Sequence, residues 1–239
     1  MKPIKLLCSI IFILSLAFFW RATAQITPGV YYSEVKNEGK TILHELKVES
    51  DYLVYSVYEN NPPKFIMTLG GHFNLASDSL RTQLEFNSDY PKDAMTEWNI
   101  PYTFEAGNLT LFSGDNLHFT SAEPVRQDLD GLWLFATRGP DEGQDRRGDD
   151  NPRKTLKFLT NGRFQWIAYN TDSMEFFGTG GGSYTAQDGA YTEHIAFFSR
   201  DNARVGATLQ FDYDLIKGDW HHTGKNSKGE PMYEIWAKR

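Results

Sequence analysis

The sequence predicts an all-β chain built as two tandem antiparallel meander barrels, or flattened versions of them. Three observations lead there: an internal repeat, a side-chain period of two, and turn-forming residues at short regular intervals. The repeat decides the architecture. Gly29-Val30-Tyr31-Tyr32 is echoed by Gly131-Leu132-Trp133-Leu134, and Lys40-Thr41-Ile42-Leu43 by Lys154-Thr155-Leu156-Lys157. Tyr55-Ser56-Val57-Tyr58 then answers to Trp166-Ile167-Ala168-Tyr169, Gly70-Gly71-His72-Phe73 to Gly181-Gly182-Ser183-Tyr184, and Thr82-Gln83-Leu84-Glu85-Phe86 to Glu193-His194-Ile195-Ala196-Phe197. The last three pairs keep one offset. The earlier ones drift because the second half carries an extra loop, Gly139 to Pro152, where the first has a short turn at Asn37-Glu38-Gly39. The expected organisation is a leader at 1–24, a first β-domain at 25–121, a polar linker at 122–129 and a second β-domain at 130–239.

Within each half, bulky residues alternate as on strands. In Arg163 to Tyr169, Phe164 and Trp166 share one side, and Ile167 and Tyr169 the other. In Val205 to Tyr213, Val205, Leu209, Phe211 and Tyr213 share a face opposite Thr208, Gln210 and Asp212. Asn161-Gly162, Asp188-Gly189, Asp201-Asn202, Lys217-Gly218 and Ala106-Gly107-Asn108 supply turns between such runs. Roughly eight short strands per half result, and no stretch carries a helical stripe. Closure into a barrel is the natural way to hide the edges of such a meander.

The first residues give the expected compartment. Lys2 and Lys5 precede an apolar run from Leu6 to Trp20, followed by Arg21-Ala22-Thr23-Ala24, the order of a secretory signal peptide cleaved before Gln25. No later run is long and apolar enough for a membrane helix, so the expected mature chain is exported, periplasmic or extracellular, and soluble. Its only cysteine, Cys8, lies in that leader, in a context that disfavours lipid anchoring. Disulfides, thiolate metal sites and cysteine nucleophiles are thereby excluded after cleavage. Loss of three of the 24 basic residues, against 31 acidic ones, moves the net charge from -7 to -10. Such a surface repels phosphate backbones, so nucleic acid is not an expected partner.

Several stretches of the second half carry a resemblance. Asp130-Gly131-Leu132-Trp133, Phe164 to Asn170, Gly178 to Thr185, Tyr191-Thr192-Glu193 and Asp219-Trp220-His221-His222 resemble exported bacterial lipocalin-like domains of unknown function. The Gly-x-Trp opening is similar to that of the wider calycin group. The resemblance implies a β-barrel that holds a small apolar or amphipathic ligand. It covers Gly131 to Arg239 well and Gly29 to Thr120 weakly, where Gly29-Val30-Tyr31 replaces Gly-x-Trp.

Complete catalytic or metal signatures are missing. His221 and His222 are adjacent, and neighbours on a strand point to opposite faces, so both cannot reach one ion without a bulge. Gly218 to Asn226 approximates a phosphate loop but has one residue too many between its glycines and Asn226 where Ser or Thr is needed. Gly180-Gly181-Gly182-Ser183-Tyr184-Thr185 lacks the final glycine of a nucleophile elbow and reads better as a glycine bulge or bend.

Glu193 is the informative oddity. It alternates with Tyr191, Ile195 and Phe197 on the inward face, where a carboxylate needs a partner or ligand. Arg204, Arg200 and His222 are the candidate partners; a place at the barrel mouth in water, or a structural ion pair, is the bland alternative. Trp166, Tyr184, Trp220 and Trp236 either line a pocket or form plain core. The charged loop Gly139 to Pro152 is expected to be a mobile rim element able to act as a lid.

The expected function is non-enzymatic binding of a small amphipathic ligand by Trp166, Tyr184, Glu193, Arg204, Trp220 and His222, with no metal or cofactor and with a structural or docking role for the first domain. The alternative is a hydrolase or isomerase acting on a sugar-like or lipid-like substrate with Glu193 as acid and base. Two titratable groups within hydrogen-bond reach in one cleft would favour catalysis, and a lone carboxylate among aromatics would favour binding.

Overall fold

The computed structural model describes residues 25–76, 78–226 and 228–239. The signal peptide expected at 1–24 lies outside them. Among the described residues no helix is long and apolar enough to cross a membrane.

The first barrel consists of β1 (Gly29–Asn37), β2 (Lys40–Glu49), β3 (Tyr52–Asn60), β4 (Pro63–Leu75), β5 (Ser79–Asn87), β6 (Glu97–Glu105), β7 (Asn108–Ser113) and β8 (Asp115–Ser121). The second consists of β9 (Gly131–Arg138), β10 (Arg153–Thr160), β11 (Arg163–Asn170), β12 (Glu175–Gln187), β13 (Ala190–Phe198), β14 (Thr208–Ile216), β15 (Asp219–Lys225) and β16 (Pro231–Lys238). Each strand pairs antiparallel with the next, and each sheet closes on itself, β8 against β1 and β16 against β9. The tandem barrels are those the repeat and the alternation predict. Among the described residues the helical exceptions are one turn at Tyr90–Asp93 (α1) and a 3-10 turn at Asn202–Arg204. That second turn ends before Val205, so the strand expected to start there begins at Thr208.

The Gly-x-Trp element acquires a physical meaning. Gly29 and Gly131 open their barrels at φ 152° and 134°, where a β-carbon is unfavourable. Two residues on, Tyr31 Oη donates to Thr27 O at 2.6 Å and Trp133 Nε1 donates to Leu129 O at 2.8 Å. Each aromatic thus pins the preceding segment across its barrel floor, burying Ile26 in one half and Leu129 in the other. The linker is part of that floor rather than a free tether. Asp128 N donates to Ala186 O at 3.2 Å, and Tyr213 Oη donates to Asp128 at 2.6 Å.

Bulges occur at matching positions in both halves. The register shifts at Gly70/Gly71 and at Gly181/Gly182, and again at Val57/Tyr58 and Ala168/Tyr169. A Cβ on Gly71 would lie 2.0 Å from Gln83 O, and one on Gly182 1.8 Å from His194 O, so backbone occupies the space a side chain would need. The bulge also corrects the face of Phe197. Simple alternation puts it inward with Glu193, but Gly182 faces Ile195 while Gly181 faces Phe197. Ala196 is the extra residue, and Phe197 turns outward.

That outward face joins the barrels. Phe197 packs on Tyr58 with centroids 4.6 Å apart, and its repeat counterpart Phe86 packs on Tyr169, the counterpart of Tyr58, at 5.0 Å. One contact therefore occurs twice with the halves exchanged, as across an isologous two-fold interface. The flanks of this pseudo-two-fold have diverged. On one side Tyr52, Val54, Leu156, Phe158 and Ile167 form an apolar cluster. On the other, the matching positions hold Arg163, Gln165, Glu45, Lys47 and Ser56, all hydrogen-bonded. Gln165 accepts from Ser56 Oγ at 2.9 Å and from Lys47 at 3.1 Å, and donates to Thr68 and Thr179 at 3.1 Å each. Arg163 Nη2 donates to Glu45 at 2.6 Å. Burial would raise the Glu45 carboxyl, but Arg163 and Lys47 outweigh it and hold it down to about 2.

Removing one partner of a buried charged pair destabilises more than replacing the whole group by apolar residues. Arg163→Tyr alone is expected to lower the unfolding free energy by about 3 kcal/mol. Installing the opposite flank's residues together, Glu45→Leu with Lys47→Phe and Arg163→Tyr, is expected to lower it less. Urea denaturation checks this; a triple variant weaker than the single one would refute the two-fold account.

Candidate functional site

The two barrels are filled differently. The first is packed with Leu46, Leu53, Leu69, Leu80, Leu84 and Ile100, among others. The second holds an ion pair inside an aromatic shell. Lys157 Nζ lies 3.1 Å from Glu193 Oε1, and Tyr191 Oη donates to the same oxygen at 2.7 Å. Both charged residues are almost wholly buried, at 6% and 4% exposure. Around the ammonium stand the rings of Trp220 at 4.7 Å, Tyr191 at 5.0 Å, Trp236 at 5.2 Å and Phe211 at 5.9 Å, within cation–π range. The repeat equates Lys157 with Leu46, because each pairs across the ladder with the corresponding residue, Trp166 or Tyr55. Glu193 matches Thr82. The same fold thus tolerates an uncharged filling at these positions, Leu46 and Thr82, and the second half replaces it with charge.

This register corrects the sequence alignment, which matched Lys157 to Leu43 by reading the two Lys-Thr pairs together. It also corrects the partner of Glu193. Arg204 sits on the 3-10 turn and its side chain makes no hydrogen bond or ion pair among the described residues. Arg200 donates instead to Phe177 O. His222 shares the interior but turns to Glu234, with Nδ1 3.6 Å from Oε2. The partner is Lys157, which the closure of the sheet brings across the barrel.

A window leads to this pair. In the first barrel β1 and β2 pair along their whole length, from Gly29↔Val48 to Asn37↔Lys40. In the second, β9 and β10 pair only from Gly131↔Leu159 to Leu134↔Leu156. Beyond Leu134 the strands diverge into the loop Gly139 to Pro152, and Arg147 N donates to Ala136 O at 2.8 Å on the edge left open. The gap is a cavity of about 380 Å³ lined by Phe135, Arg138, Arg147, Thr155, Lys157, Trp166, Glu234 and Trp236. The loop is tied rather than loose. Arg146 pairs with Asp141 at 2.5 Å and Asp219 at 2.7 Å, Lys154 and Arg239 both reach Asp149, and Gly139 N donates to Tyr233 O at 3.0 Å.

Of the residues the sequence singles out, Trp166 lines the window, Glu193 sits behind it, and Trp220 and His222 form the inner wall. Tyr184 lies at the floor, bonded to Asp130, and Arg204 stands apart. Lys157, Glu234, Phe135, Arg138 and Arg147 were not legible as site residues. A lysine inside the run Thr155-Leu156-Lys157-Phe158-Leu159, on the inward face of a strand, was the available signal for the first.

The interior also contains polar atoms without partners. Trp220 Nε1 and both ring nitrogens of His222 are buried with no hydrogen bond among the described residues. Such groups in a folded interior mark places where water or a ligand belongs. Burial, and then the Lys157 cation, push the His222 imidazolium down to about 4, so the ring is neutral at neutral pH. Burial and the adjacent Glu193 raise the Tyr191 phenol well above its ordinary value, so it stays a donor.

A larger cavity, about 800 Å³, lies between the barrels and is lined by His72, Asp51, Asp149, Lys238 and Arg239, among others. Several of its charges are spent on one another: Arg239 pairs with Glu85 at 2.5 Å and with Asp149 at 3.3 Å, and His72 with Asp51 at 3.1 Å. The window has the aromatic walls that this cleft lacks, and the unpartnered ring nitrogens of Trp220 and His222 lie behind it. Comparison with known protein families, with curated proteins and with solved structures returned no match.

The depressed His222 gives a sign to acid stability. Its unfolded ring takes up a proton near 6.5, whereas the folded one resists down to about 4. The unfolded state therefore binds more protons in that window, and stability falls as pH drops through it. The loss is expected to reach about 3 kcal/mol. His222→Phe should flatten unfolding free energy between pH 6.5 and 4 while leaving the later loss from Glu45 and Glu85; an unchanged slope counts against this burial.

Proposed function

We propose that the second barrel binds one small amphipathic molecule through the β9–β10 window, without chemical conversion, and that the first barrel is its structural or docking module. The observation that carries this reading is the replacement of Leu46 and Thr82 by the Lys157–Glu193 pair, beneath an opening whose counterpart is sealed in the first half. An ion pair buried in an aromatic shell is weak support for stability, since its desolvation offsets its attraction. A polar group for a ligand to meet inside an oily wall is the gain that offsets it, because pockets combine apolar lining with few placed polar groups. The site of action in this proposal is the periplasm or the exterior, on the strength of the leader-like first residues.

One observation favours a second reading. Glu193 has two titratable partners, Lys157 and Tyr191, within hydrogen-bond distance in one cleft, the arrangement expected of a hydrolase or isomerase with Glu193 as acid and base. Against it, the Tyr191 proton is held by Glu193 and the Lys157 charge is already paired.

Thermal-shift and native mass spectrometry of the mature chain against fatty acids, sugars and haem-like compounds test the proposal. A bound compound at a hundredfold excess over Kd is expected to raise the Tm by about 5 °C. The charge-neutral double variant Lys157→Met with Glu193→Gln should abolish that shift, and Thr82→Val in the first barrel should not. A shift surviving the double variant places binding elsewhere; recovery of a converted product, lost in Glu193→Gln, selects the enzyme.

A further inference from the structure

We propose that the molecule taken by the second barrel is an amphipathic anion, its acidic head held at the outer rim of the window by Arg138 and Arg147, with Arg153 behind them. This rests on the binding reading above and adds the charge of the ligand to it. The protein is acidic overall, with a formal net charge of -7, yet the rim gathers cations. Arg138 and Arg147 line the opening. Arg153 lies on the β10 side, close enough to Arg147 and Arg200 for burial, and then their like charges, to lower its guanidinium from the ordinary value, with Glu175 opposing.

Three arginines find carboxylates: Arg146 has Asp141 and Asp219, Arg163 has Glu45, and Arg239 has Glu85, whereas Arg200 is spent on Phe177 O. Arg138, Arg147 and Arg153 have no carboxylate within 4.0 Å among the described residues, although Glu234 lines the same window. Arg147 rests over the Phe135 ring at 5.4 Å and Arg153 over Phe177 at 3.4 Å, with one Arg153 N–H on Tyr169 O at 3.4 Å, which leaves the other N–H donors unspent. The loop builds this on purpose-shaped geometry: the ion pairs of Arg146 hold one side chain outward against Asp219, and Arg147, the next residue, turns to the opening. Like charges held together without counterions are repulsive, and a bidentate carboxylate, sulfonate or phosphate head relieves that repulsion. Phe135, Trp166 and Trp236 then face the apolar body, and Lys157 lies beyond.

Two dyes sharing one aromatic body separate the possibilities: 1-anilinonaphthalene-8-sulfonate, an anion, and N-phenyl-1-naphthylamine, its uncharged relative. Fluorescence titration of the mature chain is expected to give an anion Kd tighter than that of the neutral dye by at least about tenfold. The exposed double variant Arg138→Gln with Arg147→Gln should weaken the anion by about tenfold and leave the neutral dye within about twofold. Dodecanoate should displace either dye better than dodecanol. Equal affinities, or an anion preference that survives the double variant, overturn the charge assignment while leaving the barrel a binding site. Failure of both dyes and both dodecyl compounds to bind overturns the assignment together with the reading beneath it.

Discussion

A closed barrel satisfies its own backbone hydrogen bonds and needs no neighbour, so an apolar stripe on its outside demands a partner. Here each barrel presents such a stripe to the other. The glycine bulges make it: by inserting one residue opposite Gly70-Gly71 and Gly181-Gly182, they reset the alternation and turn Phe86 and Phe197 outward. Tyr58 and Tyr169 face outward by plain alternation on β3 and β11, and the bulges opposite them place their extra residues, Ile66 and Phe177, on β4 and β12. Without this reset in each half, Phe86 and Phe197 would turn inside, and Tyr58 and Tyr169 would lose the rings they pack on across the seam. The seam behaves as the interface of a two-fold dimer made within one chain.

Duplication of this kind supplies an internal comparison. Where both halves keep a residue type, as at Thr68 and Thr179, the role is shared: each donates its hydroxyl to the carbonyl of Tyr55 or Trp166 and its own amide is capped by Ser88 or Ser199. Where they differ, the fold itself does not require the residue. Lys157, Glu193 and the long β9–β10 loop belong to that second category, as do Glu45, Lys47 and Arg163. The latter three are absorbed by hydrogen bonds across the seam, whereas the former surround an opening. That contrast separates charge used for joining from charge gathered behind an opening.

Much of this was visible in the chain itself. The repeat, the period of two and the turn residues led to two closed meanders because backbone pairing and side-chain alternation are local properties. Glu193 stood out because a carboxylate in an apolar run violates the pattern on its own strand. Lys157 did not, since its significance depends on which strand lies across the barrel, and the alignment had slipped by matching Lys40-Thr41 to Lys154-Thr155 across the insertion. The outward turn of Phe197 was hidden because one bulge residue inverts every face beyond it. Arg138 and Arg147 were hidden for a third reason: they gain meaning only from the unpaired ladder between β9 and β10.

The window follows from a conflict between loop and ladder. A two-residue turn at Glu38-Gly39 lets β1 and β2 pair to their tips, while fourteen residues between β9 and β10 release Phe135 to Arg138 and Arg153 to Thr155 from each other. Unpaired backbone groups inside a sheet are unfavourable, so such an edge persists only if something else satisfies it. The loop does so in part, through the Arg147 amide on Ala136 and the Gly139 amide on Tyr233 O. Lengthening a surface loop costs little in closure entropy, which grows only slowly with length. Opening the wall of a barrel is therefore inexpensive when the inserted segment carries its own anchors, and the anchors in turn decide which side chains, Arg147 above all, are presented at the gap.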